Sequence, residues 1–307
     1  MKLFVVVIFV LFILLKRYKC LSKKKNRCHY FINRDSYHLK KKKCKRKILK
    51  CKVDGIEYKV HDLDKSINFY TNVLNFKVNK KEKDNAQLIL GDDGAYIKLI
   101  QKGEGNFTIG EHSFLGLGVH LKNFDINKTK LYEGKIDEEI DKRPVTPCIL
   151  PDEDAQVRRF WTNCFITDPD GYGIEVVLQN ESDKLDRIRF FTTSTKDAQK
   201  FYSDILGMQL VKIQSHLEEI SYPWNIYGGM SYYFSSENNS TILQMAYAYD
   251  EEELHMGNSL GNLILCSKNL NLIEKKLNEN NIEVIKNDKG EILVKDLDGY
   301  NVYLKDK

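Results

Sequence analysis

The sequence predicts an α+β fold of four βαβββ-like modules, arranged as two tandem copies of a pair. Three observations lead there. The stretch "DKSINFYTNVLNFKV" (Asp64 to Val78) aligns with "KDAQKFYSDILGMQL" (Lys196 to Leu210), setting Tyr70 over Tyr202 and Leu74 over Leu206. An Asp-x-Asp-Gly-Tyr turn recurs at nearly the same offset, as "DPDGY" from Asp168 and "DLDGY" from Asp296. Within each copy the apolar pattern switches between the period of 2 that marks a strand and the period of 3.6 that marks a helix.

The elements follow in order. Ile56–His61 alternates as a strand. Asp64 then caps a helix whose Ile67, Tyr70 and Leu74 lie at i, i+3 and i+7 on one face. Strands are expected at Phe76–Lys80, Gln87–Leu90 and Tyr96–Gln101, with "GDDG" (Gly91 to Gly94) turning the last hairpin. A second unit reads as strand Leu115–Leu121, a helix near Ile126–Tyr132, and strands around Arg159–Ile166 and Gly173–Leu178. The second copy offers strand Arg187–Thr192, helix Lys196–Leu206, strands Thr241–Tyr247 and Gly261–Cys266, helix Leu270–Asn278 and closing strands. The join lies in polar "QNESDKLD" (Gln179 to Asp186), giving copies at 52–182 and 183–307, each an ordinary domain length.

Charge separates this body from what precedes it. Of 48 Lys/Arg and 43 Asp/Glu in the chain, residues 1–50 hold 17 and one; the remainder is left with 31 basic against 42 acidic residues. A body with a net charge of −11 is a poor partner for nucleic acid, whose affinity rests on basic side chains neutralising phosphates. Only Cys148, Cys164 and Cys266 fall within the body, without a Cys-x-x-Cys pair, which argues against a disulfide framework and a zinc knuckle. At the N-terminus an apolar run from Leu3 to Leu15 ends at Lys16 and Arg17. Its span of about 20 Å is short of the ~30 Å hydrocarbon core, so residues 1–15 read as a signal peptide, with a short membrane anchor as the alternative. Residues 16–51 are Lys- and Arg-rich and almost free of acids, the composition of an unfolded transit peptide. A hydrophobic signal followed by such a segment resembles the bipartite leaders that route proteins through the secretory pathway into a secondary plastid, the apicoplast; secretion or anchoring in the secretory pathway is the alternative.

"HDLDKSINFYTNVLNFKV" is similar to the opening helix of glyoxalase I (lactoylglutathione lyase) and the vicinal oxygen chelate superfamily, and "DPDGYGIEVV" resembles that family's closing turn and strand. The resemblance runs from Gly55 to about Tyr303 and implies tandem domains of paired βαβββ modules forming curled mixed sheets. It also implies four inward residues, typically His, Glu, His and Glu, that chelate Zn²⁺ or Ni²⁺, leaving open positions to polarise substrate oxygens. Carried across one position at a time, these fall on Gly55, Lys98, Gly116 and Glu175 in the first copy, and on Arg187, Gln244, Asn262 and Tyr303 in the second. Only Glu175 matches. Charged Lys and Arg do not ligate a divalent cation, and glycine offers no donor. A slip of two residues would exchange one position without recovering a set.

Glu175 therefore stands in an apolar strand without the metal that the resemblance provides, and an uncompensated carboxylate there is costly. Module pairing is open. Unswapped, Glu175 shares its site with Gly55, Lys98 and Gly116; swapped, with Gly116, Arg187 and Gln244. Either way one cation is expected beside it, so an ion pair of Glu175 with Arg187 or Lys98 is expected to replace the metal. His120 faces the same way as Gly116 but about 13 Å further along the strand, too far to substitute. His61, His112, His216 and His255 read as surface residues. Asp168–Tyr172 and Asp296–Tyr300 read as structural turns, with Asp accepting backbone bonds and Gly at positive φ; Phe69, Tyr70, Phe201 and Tyr202 read as core. Lys59 falls where glyoxalase I holds a basic residue against the glutathione carboxylate, or is simply a solvated lysine. The aromatic loop Ser221 to Phe234 is a pocket wall or a packed connection.

These residues point to a glyoxalase I-like protein of an organelle without metal-dependent lyase activity, serving a binding or structural role. The alternatives are an active lactoylglutathione lyase or related metalloenzyme with a displaced Zn or Ni site, and a metal-free enzyme using Glu175 as base. No cofactor is expected on the first reading, and the partner is a glutathione-derived or other small molecule. Membrane contact is expected only through the leader. Two copies in one chain supply internally what single-copy relatives obtain by dimerising, which is compatible with a monomer. Fused ahead of a fluorescent protein in a plastid-bearing host, residues 1–51 are expected to deliver it to the plastid, and residues 16–51 alone to leave it in the cytosol. Secretion of the longer fusion would overturn that address.

Overall fold

The computed structural model describes residues 50–91, 95–103, 105–110, 113–136, 163–179, 182–215, 230–236, 240–248 and 251–307. The signal and transit expectations, His112, His216, most of the aromatic loop and Asp92 to Gly94 of the hairpin turn lie outside these residues. Buried Cys51 opens the described body.

Four modules repeat one plan: a strand, a helix, then three strands. The first is β1 (Lys52–Val60), α1 (Leu63–Leu74), β2 (Lys77–Lys81), β3 (Asn85–Ile89) and β4 (Tyr96–Gln101). The second is β5 (Phe114–Leu121), α2 (Ile126–Leu131), β6 (Lys135–Ile136), β7 (Asn163–Thr167) and β8 (Gly173–Leu178). The third is β9 (Lys184–Thr192), α3 (Thr195–Gln199), β10 (Gln209–Ser215), β11 (Met230–Ser235) and β12 (Ile242–Tyr247). The fourth is β13 (Leu260–Ser267), α4 (Leu270–Glu279), β14 (Ile285–Lys286), β15 (Ile292–Lys295) and β16 (Asn301–Asp306). In every module the first and last strands pair in parallel, which requires a crossover, and the helix provides it.

The modules swap partners. One eight-stranded sheet runs β14-β15-β16-β13-β1-β4-β3-β2, the other β10-β11-β12-β9-β5-β8-β7-β6. Modules 1 and 4 thus share a sheet through the antiparallel β1–β13 ladder, and modules 2 and 3 share one through β5–β9. Each sheet takes one module from each sequence copy. The main apolar core joins both, drawing Ile56, Leu99 and Leu263 from the first sheet and Val119, Ile174 and Leu243 from the second.

Local chemistry sets the ends of the elements. The cap of α1 is Asp62 rather than Asp64: Asp62 has extended backbone, and its Oδ1 accepts the Lys65 N–H at 3.0 Å, while Asp64 lies within the first turn. Asn75 at φ 61° ends the helix, and Phe76, expected to begin a strand, gives its N–H to the Tyr70 carbonyl instead. The expected helix Lys196–Leu206 changes pitch, since α3 continues as a π-helical stretch over Lys200–Ile205 with Phe201, Tyr202 and Ile205 buried. At the sheet edge β2 is fully exposed and carries three lysines, which discourages pairing with another chain.

The two Asp-x-Asp-Gly-Tyr turns do more than reverse the chain. Asp168 Oδ1 accepts the N–H groups of Asp170, Gly171 and Tyr172 at 2.9–3.0 Å, and Gly171 takes φ 100°. Its Oδ2 accepts the Tyr70 hydroxyl of α1 at 2.9 Å. Asp170 receives both the N–H and Nδ1 of His61 at the end of β1. The Tyr172 hydroxyl donates to the Lys59 carbonyl at 2.7 Å. The second turn reproduces this with Asp296 on Tyr202, Asp298 on Thr193, and Tyr300 on the Ser113 and Phe191 carbonyls.

Burial pushes Asp168 and Asp296 each up to about 7. Their unfolded counterparts titrate near 3.8, so between these values the folded chain holds protons that the unfolded chain has released. Stability is therefore expected to fall as pH rises from about 4 to about 7. Asp168→Asn, which keeps an acceptor for the three N–H groups, should flatten that profile at modest cost. Asp168→Ala should lose about 3 kcal/mol by stranding buried donors. Urea melts across pH check both; equal losses in the two variants would refute this account of the turn.

Candidate functional site

Each sheet turns one face to the core and carries polar side chains on the other. On the first sheet the β1–β4 ladder sets Glu57 opposite Lys98. Lys98 Nζ lies 2.7 Å from Glu57 Oε1, and the Asn262 amide from β13 donates to Glu57 Oε2. Tyr303 on β16 donates to Glu291, which also accepts from Asn287 at 2.7 Å. Burial, followed by the bond to Glu291, pushes the Tyr303 hydroxyl up to about 12. Lys305 closes the row, bonded to Asp54 at 2.6 Å and set 5.2 Å over the Tyr96 ring.

On the second sheet Glu175 is 1 % exposed. Its Oε2 lies 3.3 Å from Nη1 of Arg189, also 1 % exposed, and its Oε1 lies 3.7 Å from Nη2 of Arg187. Arg187 Nε in turn lies 3.3 Å from Asp186, which also meets Lys184 at 3.1 Å and His120 at 3.5 Å. Burial opposes the Arg187 charge, but Glu175 and Asp186 outweigh it, and its pKa stands above the ordinary value. Burial lowers that of His120. Gln244, opposite Arg189 on the β9–β12 ladder, donates to the Ser231 hydroxyl at 3.1 Å.

Two glycines make this arrangement possible. A Cβ on Gly118 would come within 2.4 Å of Arg187 Cγ, so Arg187 crosses β5 only over a glycine. Gly116 takes φ 112°, and a Cβ there would meet the Gly173 carbonyl oxygen at 1.9 Å. No side chain projects from position 116 in this backbone.

Residues 52–176 match the Glyoxalase/Bleomycin resistance protein/Dioxygenase superfamily. No curated protein matches the chain. Among solved structures, glyoxalase I from Zea mays superposes with a TM-score of 0.61 at 20% identity, over 83% of this chain and 92% of that one. A single-site mutant of the same maize enzyme gives 0.62 at 19%, over 84% and 94%. A candidate dioxygenase of Bacillus subtilis gives 0.56 at 11%, over 85% and 86%. The chain has a glyoxalase I-like fold.

The positions carried over from the resemblance keep one offset in all four modules: Lys98 lies opposite Glu57, Glu175 opposite Gly118, Gln244 opposite Arg189 and Tyr303 opposite Ile264, each two residues beyond Gly55, Gly116, Arg187 and Asn262. Glu57 and Arg189, which the alignment of Tyr70 with Tyr202 equates, lie in these rows outside the carried-over set. Lys98 does not meet Glu175: it lies on the other sheet and pairs with Glu57. Lys59 is exposed and donates to the Asn258 carbonyl at 3.0 Å. His61 pairs with Asp170, and His255 is exposed.

The donor sets do not fit Zn²⁺ or Ni²⁺. At its centre each row offers one carboxylate, Glu57 or Glu175, already engaged by an ammonium or guanidiniums, with amides or a phenol beside it. Among the described residues no three His, Cys, Asp or Glu side chains converge. The chemistry these rows offer is recognition by fixed charges and amides.

Glu175→Gln should cost about 3–5 kcal/mol, because it leaves two buried guanidiniums beside a neutral amide. Arg189→Gln should cost a similar amount, and Arg187→Gln less, since that side chain is 18 % exposed. In urea unfolding the double variant Glu175→Gln/Arg189→Gln should fall well short of the sum of its singles; strict additivity would show that the two charges do not stabilise each other.

Proposed function

We propose that this chain is a glyoxalase I-like protein without metal-dependent lactoylglutathione lyase activity, one that uses its paired sheets to bind a small molecule. The observation that carries this reading is the occupation of both rows by internal ion pairs, Glu57 with Lys98 and Glu175 with Arg187 and Arg189. A divalent ion seeking either carboxylate must displace a cation already within reach of it and approach against that cation's charge. Position 116, the second histidine position of the resemblance, is closed to any side chain by the Gly173 carbonyl.

The ligand on this reading is a glutathione-derived or other small molecule, recognised through amides and fixed charges. A role in an organelle rests on residues 1–51 and belongs to the same proposal. The test is metal content of the purified protein together with hemithioacetal isomerisation after Zn²⁺ or Ni²⁺ reconstitution. Far less than one metal per chain and no isomerisation above the uncatalysed rate are expected. Stoichiometric metal, with activity abolished by Glu175→Gln, would overturn the reading.

A further inference from the structure

Away from the charge rows, a hollow of about 210 Å³ opens where the start of β1, the end of β13 and the segment after β11 come together. Lys50, Lys52, Lys268 and Lys307 surround it, Ser236 and Asn269 line it, and Cys266 lies among them. Lys52 and Lys268 form no ion pair among the described residues. Asp54, the acid that acts on Cys266, is taken up by Lys305 at 2.6 Å. The hollow is therefore strongly positive within a body that is acidic overall.

Two further features point to a bound partner. Ser236 is 4 % exposed, and its hydroxyl has no hydrogen-bond partner among the described residues. A buried hydroxyl left this way costs about 1–3 kcal/mol, which an acceptor in the hollow would remove. Asn269 is the N-cap residue of the ten-residue helix α4, yet its side chain makes no capping bond. The positive end of that helix and a spare amide both border the hollow.

We propose that this hollow binds a phosphoryl dianion, as inorganic phosphate or a small phosphomonoester. Lysine ammoniums, a serine hydroxyl, an amide and a helix N-terminus are the groups that recognise phosphoryl oxygens. At ~30 Å³ per water the volume equals about seven waters, room for a phosphoryl group on a chain of a few carbons and too little for a nucleotide. The site lies apart from Glu57 and Glu175 and does not depend on what they bind.

The test is calorimetric titration of the full chain with inorganic phosphate and with glycerol phosphate, at constant ionic strength with chloride as control. Saturable one-site binding of at least one is expected, and the tighter of the two identifies the source. For glycerol phosphate, affinity should rise from pH 5.5 to 7.5 as the second ionisation near ~6 completes. Lys52→Gln/Lys268→Gln, at one half-buried and one exposed position and with folding checked by circular dichroism, should weaken binding by about tenfold or more. Ser236→Ala should weaken it by a smaller factor. Binding unchanged in the lysine variant, unchanged in Ser236→Ala, or no greater than in chloride for both probes would overturn the proposal.

Discussion

The buried Asp-x-Asp-Gly-Tyr junction is the constraint on which the rest of the molecule depends. Neither eight-stranded sheet holds its partner by backbone ladders, so the sheets must be registered by core packing and by side chains that cross between them. Tyr172 leaves the second sheet to bond the Lys59 carbonyl on β1, and Tyr300 leaves the first to bond carbonyls of Ser113 and Phe191 beside β5 and β9. Asp168 and Asp296 hold those turns from within while gripping the hydroxyls of Tyr70 and Tyr202, so each helix is tied to the sheet that its own module does not join. A polar network this deep is stabilising only when fully bonded, and that requirement accounts for the survival of both turns almost unchanged.

The swap follows from the same geometry. A module has one free ladder edge beside its first strand, and the antiparallel β1–β13 and β5–β9 pairings fill it with a module from the other copy. The consequence for the charge rows is direct. Glu175 on β8 looks across glycine-bearing β5 to the arginines of β9, while Lys98 is carried to the opposite sheet. Had module 1 joined module 2, the same sequence would have set Lys98 near Glu175 and left Arg187 and Arg189 to find other acids.

Much of this was legible in the chain, and the misses have physical causes. The duplication, the module plan and the turn chemistry rest on local patterns, spacing and φ preference, which one sequence displays directly. Module pairing is not local: β5 can accept β1 or β9 with equal satisfaction of its own pattern. Arg189 and Glu57 were missed for a narrower reason. Each sits two residues along its strand from a carried-over position, on the same face, and only the ladder sets it opposite Lys98 or Gln244. Asp62 and Asp64 are both good caps by residue type, and only the extended backbone at Asp62 marks it as the cap.

The two rows are related by the duplication but have not kept the same residues. Glu57 and Arg189 are equivalent, as are Lys98 and Gln244, and Glu175 and Tyr303. Each sheet nevertheless holds a carboxylate with a cation against it: the first on neighbouring β1 and β4, the second on β8 and β9 with Gly118 between. What persists is local neutrality rather than any residue at any position. A buried carboxylate needs a positive partner whatever supplies it. Once a side-chain cation takes that place, each row can drift only in ways that keep the charges matched, and in the second row the arginine and the glycine it crosses must change together.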